Sequence, residues 1–297
     1  MVANVGSYGQ ALPGVYGPAV WAAPAMPVTG PLNRTGSLRL RFFVPFALLI
    51  CFRLGLQGTL WFLLMSTFRS SAGEESSKTK IEELIQEFLV SEAAILQERG
   101  TVQLTAGIDR DTTAAEQTYN SVLLTFEYGV SERFQAGVTQ TYIFEEEGGK
   151  SGLGDAELEF RQALSENFAG GVVAVGVDVL VPTGDEERGF GVGAWEWEPV
   201  FVFGKKAGKG QFHGALALEI EDLAQTSIDL AGVYPWASWR ATLELNGAAE
   251  TISSWGATPG WSWSSGRGWE WAGGVTLPFD RETAEWVAHL RVTYEFD

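Results

Sequence analysis

From Thr101 to Phe296 the chain alternates, residue by residue, between an apolar face and a mixed one. The closing stretch shows it most plainly. Trp286, Ala288, Leu290, Val292, Tyr294 and Phe296 fall on one side, and Glu285, Val287, His289, Arg291, Thr293 and Glu295 on the other. At 239–246, Trp239, Ala241, Leu243 and Leu245 oppose Arg240, Thr242, Glu244 and Asn246. At 211–221, Phe212, Leu216, Leu218 and Ile220 oppose Gln211, His213, Glu219 and Glu221, and at 155–164, Leu158, Phe160 and Leu164 oppose Asp155, Glu157, Glu159 and Arg161. A period of two is the signature of a strand with two unlike faces. The pattern predicts about twelve strands, near 101–109, 118–129, 133–144, 154–164, 168–181, 191–204, 210–221, 226–234, 238–248, 256–265, 268–279 and 284–296. Most supply the 9–11 residues that a tilted strand needs to cross a bilayer.

The connections alternate too. Ser131–Glu132 and Ser165–Asn167 are short, whereas 145–152 (EEEGGKSG) and 182–189 (PTGDEERG) are long and acidic. That asymmetry is expected of short periplasmic turns and longer external loops. The basic turn Lys205–Lys209 then lies on the periplasmic side.

Upstream the pattern changes. At 81–98, Ile81, Leu84, Ile85 and Phe88 recur at helical spacing with glutamates between them, which predicts a short amphipathic helix. It would be a surface helix before the barrel or, less simply, a periplasmic plug or partner-binding helix. Residues 42–65 are apolar apart from Arg53 and Gln57, and Arg39 and Arg41 precede them. A basic stretch followed by an apolar one is an export signal, and Ser70, Ser71 and Ala72 offer a cleavage site before Gly73. An inner-membrane helix is the alternative, opposed by the cost of Arg53, about 2.5 kcal/mol or more at a helix centre. The expected organisation is a disordered or over-extended 1–41, a targeting segment 42–72, a linker with the helix at 73–100, and a barrel at 101–297.

Alternation alone does not separate a lipid-facing barrel from a soluble one, because both alternate. Composition does. Ten of the 12 tryptophans lie between Trp195 and Trp286. A small soluble barrel has little interior room for such rings, whereas lipid accepts any number outside. The rings also cluster near predicted strand ends, Tyr128 with Phe134, Tyr142 with Phe144, and Trp261 and Trp263 with Trp269 and Trp271, as aromatic girdles do. The fold expected is an antiparallel up-and-down transmembrane β-barrel. The competing reading is an exported soluble β-sandwich that binds carbohydrate through its tryptophans.

Charge adds a direction. The chain has 37 Asp+Glu against 20 Lys+Arg, a formal charge of -17, while residues 1–73 hold five arginines and no acid. An acidic body excludes nucleic acid as partner, since phosphates need clustered positive charge. The predicted inner face gathers lumen candidates: Asp155, Glu157, Glu159, Arg161, Glu196, Glu198, His213, Glu219, Arg240, Glu244, His289 and Arg291. Carboxylates stacked at i, i+2, i+4 must be hydrated or paired, with Arg161, Arg240, Arg291 and the histidines as available partners. They either fill and rigidify a narrow barrel or make an acidic channel that disfavours anions.

No catalytic chemistry stands out. The two histidines, His213 and His289, have no metal-binding spacing, and no serine is singled out as a nucleophile. The lone Cys51 lies in the apolar front segment behind Ile50, a poor lipid-attachment context. No enzyme activity, cofactor or metal is expected.

Three short motifs carry a resemblance: Gly152–Leu153–Gly154–Asp155 followed by Glu157 and Glu159; Val181–Pro182–Thr183–Gly184–Asp185; and Gly191–Val192–Gly193 leading to Trp195 and Pro199. In order and spacing, from about residue 85 to the end, the body resembles outer-membrane barrel transporters of the phenol-degradation MetA-pathway type. The penultimate Phe296 resembles the aromatic end that barrel-insertion machinery reads, although Asp297 follows it. The resemblance implies a Gram-negative outer-membrane barrel in lipid and lipopolysaccharide that passes small, often hydrophobic or aromatic solutes. A structural or adhesive barrel that transports nothing is the alternative. The glycines themselves read plainly, Gly152 and Gly154 permitting a tight turn and Gly184 a positive φ.

Overall fold

The structure is a computed structural model that describes residues 84–85, 87–113, 118–146, 149–218, 226–249, 255–280 and 284–296. The segments 1–41 and 42–72 lie outside the described residues, as does Glu219.

Twelve strands run in chain order: β1 (Val102–Thr113), β2 (Thr118–Ser131), β3 (Phe134–Glu145), β4 (Ser151–Phe168), β5 (Gly171–Val181), β6 (Glu196–Ala207), β7 (Gly210–Leu218), β8 (Thr226–Trp236), β9 (Trp239–Ala248), β10 (Gly256–Ser264), β11 (Trp269–Pro278) and β12 (Ala284–Phe296). Each pairs antiparallel with its sequence neighbours, and β1 closes on β12 from Val102↔Phe296 to Thr113↔Ala284. Closure leaves no strand edge unpaired, as a backbone in hydrocarbon requires.

The two ends differ. One carries the two-residue turns 132–133, 169–170, 208–209 and 237–238, together with 265–268. Ala169 and Ala237 take φ of 51° and 57° there. The other end carries the longer connections, of which 182–195 is the longest, with a 3₁₀ turn at Glu186–Arg188. The expected strand at 191–204 therefore begins later, at Glu196, because Gly191–Trp195 belongs to that loop.

The alternation resolves with the large apolar side chains outside. Leu124, Ile108, Leu243, Leu290 and Phe296 are exposed, while the residues between them, such as Thr125, Thr242, Glu244, His289 and Arg291, are buried. Exposed rings crowd the short-turn end: Tyr128, Phe168, Tyr234, Trp236, Trp239, Trp269 and Phe296. Trp269, Tyr294 and Phe296 stack in sequence with centroids 4.5 Å apart. Arg110 and Asn120 mark the border near the long-loop end, where both bond the Glu146 carboxylate.

Of the expected helix at 81–98, residues 84–85 and 87–98 are described, and they hold bends and turns but no helix. Nor does this stretch lie on the surface. It runs through the barrel interior. Ile85 and Phe88 bury against Ala231 and Val233, and Ala94 packs with Val200, Val202, Ala215 and Ala217. The stretch leaves through a turn at Glu98–Thr101, pinned by Gly100 N–H to the Gly129 carbonyl (2.8 Å) and Gly129 N–H to the Thr101 carbonyl (3.0 Å), and continues as β1. The apolar positions are spent on fixed points of the wall, so tertiary packing overrides the helical pattern.

Candidate functional site

The interior of the barrel is the candidate site, and the 84–100 segment divides it. Small and apolar inward residues of β6, β7 and β8 seat one side of the segment. The other side faces a cavity of about 210 Å³, bounded across from it mainly by β1–β4 and by His289 and Arg291 of β12.

A segment without regular secondary structure inside a barrel must find partners for its backbone amides. Glu244 supplies most of them. Its fully buried carboxylate accepts from the N–H groups of Leu89 (3.1 Å), Val90 (2.9 Å) and Ser91 (2.9 Å). His213 Nδ1 accepts from Ala94 N–H (3.1 Å), and Phe88 packs edge-on against the imidazole at 5.0 Å. The Gln135 side chain accepts from Gln97 N–H (2.7 Å). Asn246 donates to Ser91 Oγ (3.0 Å) and to Asp229 (2.6 Å). Strands far apart in sequence thus hold one plug through its main chain.

The charges sort into pairs that spacing alone does not reveal. Arg161 binds Asp178 through both terminal nitrogens (2.6 and 2.9 Å) and reaches Glu92 of the plug (2.9 Å). Arg291 binds Asp109 likewise (2.5 and 3.0 Å) and donates to the Leu89 carbonyl at 3.4 Å. Arg240 pairs with Glu270 (3.1 Å). So the three arginines find their closest partners in Asp178, Asp109 and Glu270 rather than in the stacked acids of β4. Glu157 and Glu159 face the cavity, and Glu159 accepts from Thr139 Oγ1 (3.2 Å). Glu196 and Glu198 stand half-buried on β6, in register with Leu180 and Asp178.

His289 joins a polar row across four strands. Thr258 bonds Thr276 (2.7 Å), Thr276 bonds His289 Nε2 (2.8 Å), and His289 Nδ1 bonds Asp109 (2.8 Å). The order hydroxyl, imidazole, carboxylate is that of a nucleophilic triad. Here Arg291 occupies both oxygens of Asp109 and Thr258 shares the Thr276 hydroxyl, so the row acts as a rung that ties β10, β11, β12 and β1. Among the described residues no group of three or more His, Cys, Asp or Glu is placed to hold a metal.

Asp155 borders the cavity and also ties a loop to the wall. Its two oxygens accept from Gly184 N–H and Val192 N–H, each at 2.7 Å, and Thr183 Oγ accepts from Ala156 N–H at 2.9 Å. The three glycine motifs of the sequence therefore meet in one knot that folds the 182–195 loop inward and buries Phe190. Gly184 does not take the expected positive φ. Its need is space: a Cβ there would lie 2.5 Å from the Phe190 carbonyl oxygen. Gly152 and Gly154 are likewise strand residues rather than turn residues, and a Cβ on Gly152 would meet the Phe190 ring at 2.5 Å.

No family model and no curated protein matches the chain. Several solved structures are similar to it in fold. An outer membrane channel from Pseudomonas putida F1 is 13% identical, with a TM-score of 0.49 over 68% of this chain and 98% of that one. The KdgM porin is 10% identical, with a TM-score of 0.47 over 66% and 99%. Outer membrane phospholipase A from Escherichia coli is 12% identical, with a TM-score of 0.41 over 68% and 94%.

The membrane assignment follows from the surface itself. A closed sheet with leucines and tryptophans outside and carboxylates, arginines and histidines inside inverts the soluble arrangement. It is the arrangement that hydrocarbon demands. This excludes the soluble sandwich.

The sequence passed over Asp109, Asp178, Glu92 and Gln135, and placed Asn246 on the inward face without a role. The strand residues among them sit at inward positions of the alternation, so the face could be read but not which acid meets which base. The plug's route left no local signal.

Proposed function

We propose that the protein is an outer-membrane channel of a Gram-negative bacterium for small solutes, narrowed by its own N-terminal segment, with a preference for cations and neutral solutes over anions. The observation that carries the reading is the lining of the cavity beside the plug, seven carboxylates against two arginines. Each arginine is already claimed by an aspartate, so an anion entering meets uncompensated negative charge, and in a confined low-dielectric passage such a field sets selectivity. The resemblance of the glycine motifs to the MetA-pathway barrels favours hydrophobic and aromatic molecules among the solutes. The exposed Phe296 ring beside the short-turn end supports recognition by barrel-insertion machinery, and the apolar belt supports contact with lipid and lipopolysaccharide.

The test is the reversal potential of the purified protein in a planar bilayer under a KCl gradient. A cation-selective sign supports the reading. Anion selectivity, or no conductance at all, contradicts it and returns the structural or adhesive barrel as the better account.

A further inference from the structure

Between Thr101 and Asp297 there are four lysines, and three of them, Lys205, Lys206 and Lys209, fall together where β6 turns into β7. All three are exposed, and among the described residues none of them forms an ion pair. The turns on either side are Ala169–Gly170 and Ala237–Ser238, which bring no charge of either sign. In an acidic chain this is a concentrated and uncompensated positive patch, and it lies on the short-turn end, the periplasmic one.

Strand alternation gives each lysine a direction. Val202 and Gly204 of β6 face the plug: Val202 packs with Ala94, and a Cβ built on Gly204 would lie 2.8 Å from the Ala94 Cβ. Phe201, Phe203 and Lys205 therefore face lipid. Lys206 falls on the lumen side of the rim, in register with the buried Gln211. Beside Lys205 stand Gly171 on β5 and Phe212 on β7. Gly171 has no side chain to cover the lysine, and the Phe203 ring lies over it, 2.9 Å from a Cβ built there. The Lys205 stem runs toward the neighbouring turn, with Cε 3.8 Å from a Cβ built on Gly170. Exposed Phe168 and Trp236 flank the patch. Rings at this depth lie at the boundary of hydrocarbon and headgroups, and a lysine stem carries its ammonium from the apolar side to the headgroup level.

We propose that the lipid face of β5–β7 at the short-turn end is a binding site for an anionic phospholipid of the periplasmic leaflet, its phosphate between Lys205 and Lys209 and its acyl chains along Phe201, Phe203 and Phe212. Charge complementarity selects an anion, and the rings directly beneath the lysines select one that carries hydrocarbon. A soluble acidic partner would use the lysines and leave the rings idle, whereas a phospholipid uses both. The site lies outside the two strands that seat Ala94 of the plug inside, and it does not depend on whether the barrel conducts.

The experiment is native mass spectrometry of the full chain in detergent with equal amounts of phosphatidylglycerol and phosphatidylcholine of the same acyl chains. Heat-modifiable gel migration checks that each variant is folded. The expected result is preferential retention of phosphatidylglycerol. Lys205→Gln and Lys209→Gln should each weaken it about fivefold, the worth of one lysine at an anionic membrane surface, and Lys205→Arg should keep it. Lys206→Gln, on the lumen side of the rim, and Lys150→Gln, at the opposite end of the barrel, should leave it nearly unchanged. Equal retention of the two lipids overturns the site. Equal weakening by Lys205→Gln, Lys206→Gln and Lys209→Gln also overturns it, because a diffuse field would then suffice. Displacement of phosphatidylglycerol by an equal concentration of glycerol phosphate overturns the lipid assignment in favour of a soluble anion.

Discussion

Glu244 holds the plug to the wall through three consecutive backbone amides. A carboxylate that accepts three backbone N–H groups leaves three amides bare if it is removed, and each buried unsatisfied donor costs about 1–3 kcal/mol. Glu244→Gln keeps the volume but loses the charge and turns one acceptor into a donor. We expect faster hydrogen exchange at Leu89, Val90 and Ser91 and a larger conductance, with heat-modifiable gel migration unchanged because the strand ladder is untouched. Gly184→Ala tests the knot. With a carbonyl oxygen 2.5 Å away, the added methyl forces the loop to shift at a cost of about 1–3 kcal/mol. Trypsin should then cut faster at Arg188, while the barrel resists. Glu146 supplies a pH test. Hydrogen bonds from Arg110 and then Asn120 hold its carboxyl below the ordinary value. A lowered folded value means the contact is fully present above the ordinary carboxylate range and is lost as pH falls through the folded value. A titration of Glu146 followed by NMR should show its midpoint displaced downward, and Arg110→Gln should return it.

At the scale of elements, the strands were legible and the plug was not. Twelve alternating segments were expected and twelve strands form, because lipid outside and charge inside force every residue to choose a face. Where a boundary moved, as at Gly191–Trp195, the tie from Asp155 to Val192 had claimed the backbone first. The 81–98 pattern misled for a physical reason. Ile85 and Phe88 are four and three residues from their apolar neighbours, as a helix would have them, but the wall of β8 buries both, and distant side chains satisfy amides further along the segment. The ion pairs were equally hidden: Arg161 and Asp178 stand on facing strands, and only the register between β4 and β5 brings them together. Deleting 84–98 should leave closed, heat-modifiable barrels, since no ladder bond of the strands depends on the plug. Their conductance should rise well above that of the intact protein.

At the scale of the molecule, the acidic interior, the apolar belt and the ring-lined short-turn end form one arrangement, and each depends on the strands facing lipid as described. The most direct test places single nitroxide labels in a background lacking Cys51, at alternating outward and inward positions, Leu243 and Thr242, Leu290 and Arg291, Leu124 and Thr125, in reconstituted bilayers. Collision with oxygen, which concentrates in hydrocarbon, should be high at Leu124, Leu243 and Leu290 and low at their neighbours. The reverse alternation, or equal access of a water-soluble nickel complex to the leucine positions, would contradict the account.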